Sequence, residues 1–72
     1  MDQEERADLV ARLFALMTSK LEDAAHEAME GQRKGLEESD QIARAERIEM
    51  ASRDIGLLAE AVAAILRSQL AG

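Results

Sequence analysis

From Ile48 to Ile65 the chain sets an apolar residue at alternating steps of three and four without a break: Ile48, Ala51, Ile55, Leu58, Val62 and Ile65. Only an α-helix turns that spacing into one continuous stripe, and a stripe of this kind packs against another helix. The first half repeats the pattern in Ala7, Val10, Phe14, Met17, Leu21, Ala24 and Ala28. Proline is absent, and Ala, Leu, Glu, Arg and Met, which lose little freedom in a helix, dominate. Nothing therefore stops either helix before the middle of the chain.

Punctuation gathers only in Gly31-Gln32-Arg33-Lys34-Gly35-Leu36-Glu37-Glu38-Ser39-Asp40, where the heptad phase is also lost. Gly35 suits the left-handed position beyond a helix C-terminus, and Ser39 or Asp40 can cap the helix that follows. The reading is one all-α domain, an antiparallel helical hairpin with a helix over residues 2–34, a turn over 35–38 and a helix over 38–70. Five acid-first i,i+4 pairs mark the sides expected to stay wet: Asp2 with Arg6, Asp8 with Arg12, Glu30 with Lys34, Asp40 with Arg44, and Glu49 with Arg53.

A chain of 72 residues with no cysteine has neither a disulfide nor a thiolate metal site to reinforce a small core. Association is the most economical source of further burial. Phe14 is the only aromatic residue, so base stacking and aromatic cages have almost nothing to build on. The net charge of −6, carried mainly by the first helix, argues against nucleic acid and favours a basic partner surface. The acidic start Met1-Asp2-Gln3-Glu4-Glu5 is unlike a secretory signal, and no apolar run is long enough to span a bilayer. A cytoplasmic protein, not bound to membrane, is the expectation.

Two segments are apolar nearly all the way round. Leu9 to Met17 is broken only by Arg12, and Ile55 to Leu66 only by Gly56 and Glu60. A chain that reverses near residue 37 brings both segments to one end, where a single seam covers about one stripe per helix. The expected interface is Leu9, Leu13 and Leu16 from the first helix with Leu57, Ala61, Ala64 and Leu66 from the second. The favoured assembly is a homodimer forming a four-helix bundle through these terminus-end halves; full-length side-by-side packing and the helix of a client protein are the other occupants considered.

The one cluster with metal-ligand types is Glu22, Asp23, His26, Glu27 and Glu30, in which Asp23 and His26 stand at i,i+3. Di-iron bundles use such spacing with the ligands pointing inward. The apolar row through Leu21, Ala24 and Ala28 places His26 on the opposite face, so no metal or other cofactor is expected. Without an inward histidine, none of Thr18, Ser19, Ser39, Ser52 or Ser68 is a candidate nucleophile, and no catalytic residue is assigned. The sequence thus reads as a non-enzymatic adaptor, chaperone or regulator; a carboxylate and histidine metal-binding protein, or an acidic inhibitor of a basic target, are the alternatives. In size and architecture it resembles the helical-hairpin co-chaperones of type III secretion needles and the hairpin subunit of the plasmid RNA-binding four-helix dimer, with no shared motif.

Overall fold

The computed structural model describes residues 1–71 as two helices, α1 (Gln3–Gly31) and α2 (Glu38–Ala71), packed against each other as an antiparallel hairpin. The described residues contain no strand. The molecule is a rod of 55 × 17 × 13 Å. No helix among the described residues is long and apolar enough to cross a membrane.

Asp2 starts α1: its extended backbone lets Oδ1 accept from the Glu5 backbone N–H at 2.7 Å, and Glu4 and Glu5 stand favourably at the positive end of the helix dipole. α1 stops at Gly31, three residues short of the expected Lys34. The Gly31 carbonyl then accepts from Gln41 Nε2 at 3.4 Å across the turn, which satisfies one of the acceptors a helix end leaves open. Gly35 has φ +83, the left-handed conformation expected of it, although it lies in the turn four residues past the helix end. α2 begins at Glu38, so Ser39 and Asp40 sit inside its first turn; the Glu37 carbonyl accepts the first helical N–H bonds, from Asp40 and Gln41, both at 3.0 Å. Gly35→Ala should destabilise the hairpin by about 1–2 kcal/mol, the cost of a Cβ in that conformation, seen as a lower urea midpoint.

The stripe on α2 is the seam: Ile48, Ala51, Ile55, Leu58 and Ile65 are half-buried and Val62 is buried. On α1 the seam lies one row round from the expected one. It runs through Val10, Leu13, Met17, Lys20, Ala24 and Glu27, while Ala7, Phe14, Leu21 and Ala28 are exposed, Phe14 at 53% and Leu21 at 55%. Cross-helix ion pairs explain the rotation. Lys20 reaches Asp54 at 3.1 Å, and Glu27 reaches Arg47 at 2.8 Å and Arg44 at 3.2 Å, so two charged residues occupy seam positions that apolar spacing alone assigns to their neighbours. Of the five expected i,i+4 pairs, Glu49 with Arg53, at 3.7 Å, forms among the described residues; Arg44 turns across the hairpin and Glu30 meets Arg33 instead.

Candidate interaction surface

The seam divides the hairpin into two long faces. One is grooved and charged. Lys20, Asp23, His26 and Glu27 of α1 and Arg47, Met50 and Asp54 of α2 line an open groove of about 370 Å³. Towards the chain ends it continues between Leu16 and Leu57, and then between Arg6, Ala64, Ile65 and Ser68. The strongest charges on this face neutralise one another. Arg47, hydrogen-bonded to Glu27, holds that carboxyl below its usual range against the opposing effect of partial burial, and the nearby charge of Arg44 adds to the lowering.

Because its pKa is lowered on folding, ionised Glu27 contributes stability that is fully present above the ordinary glutamate range and is lost as pH falls through the lowered value. The difference in thermal midpoint between wild type and Glu27→Gln should therefore shrink on acidification from about pH 6 to about pH 3, measured by circular dichroism. A difference independent of pH would mean that these ion pairs do not form in solution.

This face does not build a metal site. Among the described residues no group of three or more His, Asp or Glu side chains is placed to hold a metal ion. Of the sequence candidates, Asp23, His26 and Glu27 border the groove, with Glu27 committed to two guanidiniums, while Glu22 is exposed and Glu30 is bound to Arg33 at 3.1 Å. His26 is exposed at the groove's rim rather than directly behind the seam.

The other face lines none of these grooves and carries one charged residue, Glu49 near the turn, paired with Arg53 of its own helix at 3.7 Å; from Ser52 onward it is uncharged. At about 3.6 residues per turn, Ala7, Phe14, Leu21, Ala25 and Ala28 follow one flank of α1. Ala45, Glu49, Ser52, Gly56, Ala59, Ala63, Leu66 and Leu70 follow the flank of α2 on the same side, away from the groove. Apart from half-buried Ala63, these residues are exposed. Of this face spacing predicts Leu66 alone as a surface: its α1 row carries the apolar spacing expected of the seam, and its α2 row is too poor in large residues to stand out.

The residues expected at an interface fall in three places. Leu9 and Leu13 are half-buried beside α2, where the hairpin itself partly covers them. Leu16, 46% exposed, and Leu57, 64% exposed, lie on the grooved side, as do Ala61 and Ala64 by their helical phase. Leu66, 40% exposed, belongs to the uncharged side. No protein-family model, curated protein or solved structure matches the chain.

Proposed function

We propose that this chain is a non-enzymatic interaction protein that works by association, forming a homodimeric four-helix bundle or sheathing an amphipathic helix of a client. One observation supports the reading above the others. Met17 and Val62 are the only buried hydrophobic residues among those described, while Phe14, Leu16, Leu21, Met29, Ile42, Met50, Leu57, Leu66 and Leu70 are exposed. Two buried side chains contribute about 1.5–3 kcal/mol each, too little to stabilise a domain against its conformational entropy. The surface area says the same. The hairpin exposes 5592 Å², whereas a compact monomer of 7.9 kDa exposes about 4400 Å². The excess, about 1200 Å², is more than one partner contributes to a standard interface and matches what an obligate dimer buries on each chain.

The test is solution mass by light scattering at micromolar concentration. The expected result is twice the 7.9 kDa chain mass. The mass of a single chain, with full helical circular dichroism, would overturn self-association.

A further inference from the structure

Resting on the dimer reading above, we infer that the uncharged face is where a second copy of this chain docks, with each α1 lying along the partner's α2 about a twofold axis parallel to the helices. The register inside the hairpin carries the argument. Lys20 faces Asp54 and Glu27 faces Arg47, so a step of seven along α1 matches a step of seven back along α2. A twofold axis parallel to the helices leaves every residue at its own height, so one copy's α1 meets the partner's α2 in this same register.

At three levels a large residue then meets a small one. Within one residue of that level on this face, Phe14 faces Ala59 of the partner subunit, Leu21 faces the partner's Ser52, and Ala7 faces the partner's Leu66; towards the turn, Ala28 faces the partner's Ala45. Every helix in this bundle has antiparallel neighbours, the arrangement in which their dipoles oppose one another.

Gly56 adds an independent observation. A glycine within a helix costs about 1 kcal/mol relative to alanine, yet nothing in the hairpin lies within 4 Å of where its Cβ would stand. It borders the uncharged face one turn from Ser52 and Ala59, where the partner's α1 backbone would pass between Phe14 and Leu21. The face also has the required extent. On α1 no charged residue interrupts its row from Ala7 to Ala28; on α2 none does from Ser52 to Leu70, Glu49 closing the row on the turn side, and the area in excess of a compact monomer is what such a contact would cover. From Ser52 towards the chain ends, large apolar side chains without charge suit a second identical face, which needs no complementary ions there, and Glu49 is already paired with Arg53 of its own helix.

Two matched substitutions on α2 test the assignment. Ala59→Glu sets an unpaired carboxylate on the uncharged face and should weaken the dimer at least about 100-fold, whereas Leu57→Glu on the grooved side should leave its mass unchanged. So that the assignment does not depend on a dissociated hairpin staying folded, disulfide formation supplies a second reading in a chain that has no cysteine of its own. Mixed under oxidising conditions, Phe14→Cys and Ala59→Cys chains should give a covalent heterodimer, and neither alone should link to itself. A dimer that survives Ala59→Glu but not Leu57→Glu, or Phe14→Cys chains that link to one another, would overturn this face and leave the dimer standing. A wild-type monomer would overturn both.

Discussion

A Met17→Ala chain is expected to lose about 2–5 kcal/mol of stability, enough to leave much of it unfolded at room temperature. The size of the effect follows from how little else is buried. Met17, 7% exposed, and Val62, 4% exposed, are the two buried hydrophobic residues among those described. A domain of this length holds only a few kcal/mol in reserve, so truncating its central side chain consumes most of that margin. Urea titration followed by helical circular dichroism measures it. An unchanged midpoint would place Met17 outside the core and remove the seam described for α1.

The second large effect is a thermal midpoint that depends on protein concentration. If folding and dimerisation are one event, each hundredfold increase in concentration adds about 2.7 kcal/mol per dimer to the folded state. For chains of this size that shifts the midpoint on the order of 10 °C. A single hairpin would show none. Thermal scans at three concentrations spanning the micromolar range distinguish the two, provided the transitions are reversible.

The architecture was legible because α2 announces itself: Ile48, Ala51, Ile55, Leu58, Val62 and Ile65 keep one phase, and that phase is the one the hairpin covers. α1 was legible as a helix but not as an oriented one. It carries two overlapping heptad rows that share Val10, Met17 and Ala24, and apolar spacing selects the row completed by Ala7, Phe14, Leu21 and Ala28 over the row completed by Leu13, Lys20 and Glu27. Hydrophobicity cannot identify a seam position held by an ion pair. The missing signal lay in the pairing of the two halves: a reversal near residue 37 sets Lys20 against Asp54 and Glu27 against Arg47, opposite charges both times. The distribution of the exposed apolar residues between two faces depended on that same rotation, which is why Leu9 and Leu13 were grouped with Leu16 although they lie half-covered.

The helix ends show a similar limit. Gly35 was identifiable as a left-handed residue, but α1 ends earlier, at Gly31, because the end is set by what its carbonyls can find, and the Gln41 side chain reaches back to one of them. Long-range partners of this kind leave no local trace in sequence.

The ion pairs across the seam also set the length of the loop-side arms. Heptad packing tolerates sliding by seven residues, since one apolar layer resembles the next. Here such a slip brings Lys20 beside Arg47 in one direction and Glu27 beside Asp54 in the other, cation against cation or anion against anion. Charge thus biases an otherwise slippery interface: a chain shortened or extended by one heptad in a single helix sets these charges against the closing of its turn, while the same change made in both arms between these pairs and the turn preserves the match.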